Sequence, residues 1–323
     1  KWREQQVMKS ITSESLKGTY IFYKDGQEVY RSKNIVTTEG KDVFVQYLSK
    51  NNNDYASKIV LGIGSATPVA SNQFLGFEVF PLAIEFKTVD FTQTPAQVVF
   101  RASIPATFDG VIYEAGLSTM GGTLSSSDIN TNNEVIINFN PNFEEWSTGA
   151  NVVYHNNDLE GTPRLRAGDS GLQITAASSS SVSSTYTGIV PPNYISSGDK
   201  VKIAYHVSGS VPTSIQVKLQ SDPSNYFTAT IPAASISLGY NITTLDFDEL
   251  VMTGTLNTNS VSTIIVTVNA ASSQSIVTMD AMRFDEYSSV SKPVLVSHSL
   301  LSTPLVVEGG NKFDIEYRLG FDI

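Results

Sequence analysis

The last twelve residues, Lys312 to Ile323, read KFDIEYRLGFDI, and no other stretch restricts the fold of this chain as tightly. Phe313, Ile315, Tyr317, Leu319, Phe321 and Ile323 alternate with Lys312, Asp314, Glu316, Arg318, Gly320 and Asp322. That is the period of a β-strand with one buried and one wet face. Its apolar row needs a core and its backbone groups need neighbours, so the remainder of the chain must supply a sheet.

Further strands are written in the same way. GTYIFYKDGQEVYRSKNIV places two apolar-aromatic runs around Lys24, Asp25 and Gly26, a hairpin signal. From Thr38 to Lys50 the period changes, with Phe44, Tyr47 and Leu48 at helical spacing behind a capping threonine, Thr37 or Thr38, which predicts one short helix despite Gly40. Ile59 to Ile63 reads as a buried strand broken by Gly64 to Pro68. AIEFKTVDF, AQVVFRASIPA and GVIYEAGLST continue an antiparallel pattern to about residue 145. Beyond Asn151, SGLQI, DKVKIAYHVSG, TSIQVKLQS, VSTIIVTVNA and SIVTMDAMRF belong to a second set of short strands, a sandwich signature. The expected fold is therefore all-β and mainly antiparallel: a β-rich scaffold domain with one short helix, formed by 1–150 and 290–323, and an inserted β-sandwich or jelly roll over 151–289.

Charge narrows the partners. With 21 Lys and Arg against 31 Asp and Glu, the formal charge is −10, so nucleic acid is not an expected partner. No cysteine is present, which removes disulfides and thiol chemistry. No apolar run of about 18 residues occurs and no basic-apolar leader is visible, so membrane insertion is not expected. The initial Lys1 hints at processing or at a preceding segment.

Three stretches resemble a widespread group of tailed-phage virion proteins found among tail-fibre and baseplate-associated components: NIVTTEGKDVFVQYL, IVLGIGSATPVASNQFLGFEV and VVFRASIPATFDGVIYEAGLST. The matching pieces are Thr38 to Leu48, Leu61 to Ala66 and Glu114 to Leu117. The ending SHSLLSTPLVVEGGNKFDIEYRLGFDI, from Ser297, is similar to the group's terminal pattern. Ser118 and His298 depart from it, standing where a large apolar and a basic residue are common. The insert resembles jelly-roll carbohydrate-binding modules through SGLQI and VTMDAMRF. The resemblance to the phage proteins implies a tail, baseplate or neck component located on the virion, assembled from copies of itself with other virion proteins.

Tyr226 and Tyr240 stand in loop-like contexts, where an aromatic face can stack on a sugar while Asp222, Asn225 or Asn241 supplies polar contacts. The competing role for these rings, and for Tyr186, Tyr194 and Phe227, is capping the sandwich core or filling a subunit interface. Asp169 and Asp280, with Asp285 and Glu286, are candidate calcium ligands joining the first and last sandwich strands. Glu114 in IYEAG reads as a strand-end carboxylate taking backbone hydrogens from a turn rather than as a catalytic acid. His155, His206 and His298 are isolated, and no serine sits in a nucleophile elbow. The expected function is thus a structural virion protein and not an enzyme. The alternative is a glycan- or receptor-binding module on a surface appendage, and a polysaccharide-degrading enzyme ranks third. No cofactor beyond calcium is suggested.

Overall fold

The computed structural model describes residues 16–49, 56–119, 135–137, 145–156, 165–168, 170–187, 200–255, 261–285 and 293–321. Its first elements are β1 (Leu16–Lys24), β2 (Gln27–Lys33), β3 (Ile35–Val36), helix α1 (Thr38–Ser49), β4 (Ala56–Gly62), β5 (Glu78–Ala83), β6 (Phe86–Asp90), β7 (Gln97–Ile104) and β8 (Gly110–Thr119). There follow β9 (Val135–Ile137), β10 (Val152–Asn156), β11 (Ser170–Ala176), β12 (Ser181–Thr187), β13 (Lys200–Gly209), β14 (Ser214–Asp222), β15 (Asn225–Pro232), β16 (Gly239–Asp246), β17 (Val251–Thr253), β18 (Thr263–Asn269) and β19 (Ser275–Asp285). The chain closes with β20 (Leu295–Val307) and β21 (Phe313–Phe321). The fold is mainly antiparallel β with a single short helix among the described residues.

The chain divides into two compact units, Lys1–Leu124 with Pro293–Ile323, and Ser125–Lys292. In the first, one sheet has the order β2-β1-β21-β7-β6 and the other β3-β20-β8-β4-β5. Strand β21 lies in the middle of its sheet, in register with β1 from Lys24↔Phe313 to Leu16↔Phe321 and with β7 on its other side. Its alternation has a direct consequence: Phe313, Ile315 and Tyr317 are buried. Tyr317 stacks on Tyr20 at 4.5 Å and on Phe100 at 6.0 Å, and its hydroxyl accepts from Asn34 Nδ2 at 2.8 Å. Tyr20 in turn shares a 2.7 Å hydrogen bond with Ser297 on β20, which ties the two sheets together.

Local signals account for the turns. Asp25 and Gly26 take positive φ, 51° and 80°, as a tight two-residue hairpin requires. Thr37 caps α1 by accepting from Gly40 N at 2.9 Å. A glycine at 40 lowers helix propensity, but a Cβ there would collide with the Val296 backbone, so this glycine lets the helix lie against β20.

The second unit is a sandwich of the sheets β10-β11-β19-β13-β16, with β9 also on β19, and β12-β18-β14-β15-β17. Leu172 and Ile174 on β11, Val201, Ile203, Tyr205 and Val207 on β13, Ile215, Val217 and Leu219 on β14, and Ile264, Val266 and Val268 on β18 meet in one core with Trp146. Because successive side chains alternate, the residues between them face outward. Trp146 and Tyr186 stack at 5.4 Å at the core, the capping role open to Tyr186.

Removing the central ring of the first unit tests this architecture. Tyr317→Ala should cost about 3–5 kcal/mol, the range for emptying a buried aromatic site. Hydrogen exchange measured during denaturant titration should show that loss in β1, β7 and β21 while β13 and β18 keep theirs. An equal loss in both units would contradict their separate cores.

Candidate functional site

On the outer face of the first sandwich sheet, backbone register lines up a row of side chains. Val153 pairs with Gln173, Gln173 with Thr278, Thr278 with His206 and His206 with Tyr240. Each alternates with a core residue of its strand, so the row crosses five strands, about 19 Å at the usual strand spacing. Gln173, His206 and Tyr240 are partly exposed and present an amide, an imidazole and an aromatic ring, whereas Thr278 between them is buried. Val153 at the far end is exposed.

Asp280 stands beside this row because β19 bulges there: Tyr205 pairs with Met279 but Ala204 with Ala281, leaving Asp280 as the extra residue. Its carboxylate accepts the Tyr240 hydroxyl on Oδ2. Arg166 N donates to Oδ2 at 2.8 Å, and Ala167 N lies 3.1 Å from each oxygen. The Arg166 guanidinium sits over the Tyr240 ring, 3.8 Å from its centroid. Leu165, fully buried against Gly171, anchors the start of this segment. Burial pushes the Asp280 carboxyl up to about 6, against the opposing pull of the Tyr240, Arg166 and Ala167 donors and of the Arg166 charge.

Of the five residues expected to contact a sugar, the structure brings Tyr240 and Asn241 to β16 and leaves Tyr226, Asp222 and Asn225 at the β14–β15 hairpin of the opposite sheet. In that hairpin Asp222 accepts from Ser224 N at 2.9 Å and from Asn225 Nδ2 at 2.8 Å. The Lys218 ammonium lies 3.6 Å from the Tyr226 ring centroid. Asn241 closes the turn before β16, donating to Ser237 O and Gly239 O and accepting from Ser237 N. Asp169 and Glu286 lie outside the described residues, as do Tyr194 and the side chain of Asp285. Asp280 spends both oxygens on hydrogen-bond donors, and among the described residues no group of three or more His, Asp or Glu gathers to hold a metal. Arg166, Gln173 and Thr278 were not singled out by sequence reasoning. The last two follow from strand parity, whereas nothing local marks Arg166.

The first unit holds another buried acid. Glu114 is fully buried on β8, and its oxygens accept from Gly64 N, Gly76 N and Phe77 N at 2.8–2.9 Å and from His298 Nε2 at 2.9 Å. A Cβ at Gly62 or Gly64 would run into the Glu114 carboxylate, so glycine is what allows the chain to close around it. His298 Nδ1 lies 3.0 Å from Asn72 Oδ1, which already accepts from Val69 N at 2.7 Å. Both ring nitrogens thus face acceptors, a geometry satisfied when both donate. Burial raises the Glu114 carboxyl, but the His298 bond and charge and the backbone donors outweigh it, and the net value lies below the ordinary one. Glu114 is a structural clasp with no face open to a substrate.

No family model matches the chain, and no curated protein matches it. Solved structures similar to it include an exo-β-agarase, at 12% identity over 44% of this chain and 24% of that one, with a TM-score of 0.31. A family 11 carbohydrate-binding module from Clostridium thermocellum, in complex with a β-1,3-1,4-mixed-linked tetrasaccharide, matches at 14% identity over 47% of this chain and 94% of its own, TM-score 0.32. The module TmCBM61, in complex with β-1,4-galactotriose, matches at 12% identity over 46% and 91%, TM-score 0.29. The chain spans about a quarter of the agarase's length. These values transfer neither ligand nor activity to this chain.

The virion expectation is corrected on this finding, since these neighbours are carbohydrate-binding modules and an agarase rather than tail or baseplate proteins. A structural role in a phage tail, virion partners and a virion location are withdrawn. The physical reason lies in the motifs: Gly62, Gly64 and Glu114 within them build the Glu114 clasp, a local folding device rather than a functional one.

Because the folded Glu114 value lies below the unfolded value of 4.5, its contribution is present above that pH and is lost as pH falls through the folded value. The first unit should therefore lose stability in acid below about pH 4.5, as read by denaturant midpoints across pH. Glu114→Gln should cost about 3–5 kcal/mol at neutral pH by stranding His298, and should flatten the acid slope. An unchanged slope would show that Glu114 carries no proton linkage.

Proposed function

We propose that the second unit binds glycans on the outer face of the β10-β11-β19-β13-β16 sheet. The observation that carries this reading is the immobilised ring of Tyr240, held at its hydroxyl by Asp280 and on one face by Arg166, at the end of a row of polar side chains. Sugars offer C–H faces that stack on aromatic rings and hydroxyls that need donors and acceptors at fixed positions. A ring already fixed loses little freedom on binding. Gln173 and His206, both partly exposed, supply amide and imidazole groups along the same line. The row's length suits an oligosaccharide rather than a single sugar.

We also propose binding without bond cleavage. The buried acid on this face, Asp280, gives its oxygens to protein donors and has no role left for a general acid or base at a glycosidic bond.

Affinity electrophoresis against mixed-linked β-glucan, β-1,4-galactan and agarose tests the proposal. At least one polymer should retard the protein. Tyr240→Ala should weaken that retardation about tenfold or more, equivalent to roughly 1.4 kcal/mol, while Tyr226→Ala on the other sheet should leave it within about twofold. No retardation by any of the three, or retardation insensitive to Tyr240, would reject this surface.

A further inference from the structure

We propose that the segment 165–168 is a proton-linked clasp over Tyr240: protonated Asp280 holds it closed, and ionisation of Asp280 loosens it as pH rises. The link to ligand binding rests on the glycan reading above, but the clasp itself does not.

The Asp280 side chain is fully buried, and the donors reaching it are neutral: one phenol hydroxyl and two peptide N–H groups. The cation in the neighbourhood, Arg166, places its guanidinium over the Tyr240 ring. A buried carboxylate served by neutral donors alone keeps much of its desolvation penalty when charged. A protonated Asp280 escapes that penalty and can itself donate to the Tyr240 oxygen. The short contact between the two side chains then survives with the donor reversed, and the phenol proton is freed to point elsewhere.

The titratable and charged groups on this face around Asp280, among the described residues, are Tyr240 on β16, Arg166 on the segment itself, His206 next to Tyr240 in register on β13, and the buried pair Lys202 on β13 and Arg283 on β19. Opening the segment removes Arg166 N and Ala167 N from the carboxylate and admits water to it. Water stabilises the ionised form, so the open state releases the proton more readily than the closed one. By linkage, acid favours closure and higher pH favours opening.

The consequence for Tyr240 is mechanical. In the closed state its hydroxyl and one ring face are both held. In the open state the Arg166 contact and the two amide bonds that hold the segment to Asp280 are lost together. A bound glycan would thus be held best in mildly acidic surroundings and released as pH rises.

Hydrogen exchange of the full chain, with no ligand added, reads this directly through the Arg166 and Ala167 amides. Burial pushes the Asp280 carboxyl from 3.8 up to about 6, and each pH step between those values is tenfold in the closing equilibrium. The protection of both amides, corrected for intrinsic exchange, should therefore fall by up to roughly a hundredfold between pH 4 and pH 7. Amides in the centre of β13 should not follow. In Asp280→Asn, whose amide can both accept from the backbone and donate to Tyr240, protection should become independent of pH. Flat protection in the wild-type chain would overturn the clasp. Persistence of the pH dependence in Asp280→Asn would also overturn it, by assigning the titration to another group such as His206. Neither outcome bears on whether a polysaccharide binds, so failure of the clasp and failure of the glycan reading are distinguishable.

Discussion

A peptide N–H taken out of water needs an acceptor, and in both units a carboxylate on the middle strand of a sheet provides one to a loop lying across it. Glu114 on β8 collects the amides of Gly64, Gly76 and Phe77. Asp280 on β19 collects those of Arg166 and Ala167. Each acid lets irregular backbone lie over a sheet without leaving buried donors unmade. Much of the surrounding sequence serves that arrangement, from the glycines at 62 and 64 to the bulge that turns Asp280 outward.

The two clasps differ in countercharge, and that difference decides their behaviour. His298 meets Glu114 at 2.9 Å inside the first unit. Beside Asp280 the Arg166 guanidinium lies over the Tyr240 ring, and the pull of its charge does not offset burial. Burial opposes the charged form in both, yet Glu114 ends below its ordinary value and Asp280 rises to about 6. Burial alone therefore does not set the sign of a shift; the nature of the donors that replace water does. An acid bonded to a histidine makes a lock that holds over most of the pH range, whereas one whose direct donors are all neutral leaves its loop sensitive to protons near pH 6.

How much of this could be read from the residues depends on the range of the interaction. The alternation of Phe313, Ile315 and Tyr317 made β21 visible because strand parity is local. The helix beginning at Thr38 was visible for the same reason, and Gly40, which argued against it, makes sense once β20 lies alongside. Glu114 reads as a strand-end carboxylate taking backbone hydrogens; it does accept backbone N–H groups, but from the middle of β8, and its partner His298 is 184 positions away with no local mark. The grouping of Tyr226 with Tyr240 failed for a related reason. Both rings stand at strand ends in polar company, but which sheet a strand joins is settled by pairing across the whole unit, and these two join opposite sheets. The virion resemblance rested on stretches that build the first unit's clasp and closing strand, features of a scaffold rather than of a function.

The bulge of β19 has its mark in the sequence. In VTMDAMRF the apolar phase slips: Val277 and Met279 keep a spacing of two, then Met282 and Phe284 resume it after a step of three. All four lie in the core, which a regular strand could not achieve because unbroken alternation from Met279 would turn Ala281 and Arg283 inward. The bulge at Asp280 restores the phase. It keeps Met282 and Phe284 inside, puts Arg283 on the outer face opposite Lys202, and presents Asp280 to the Tyr240 hydroxyl. Core and site are thus consequences of the same extra residue. A change that regularised β19 would bring Arg283 toward the core and withdraw Asp280 from the clasp in a single step, so the outer face of this sheet has no geometry independent of the core beneath it.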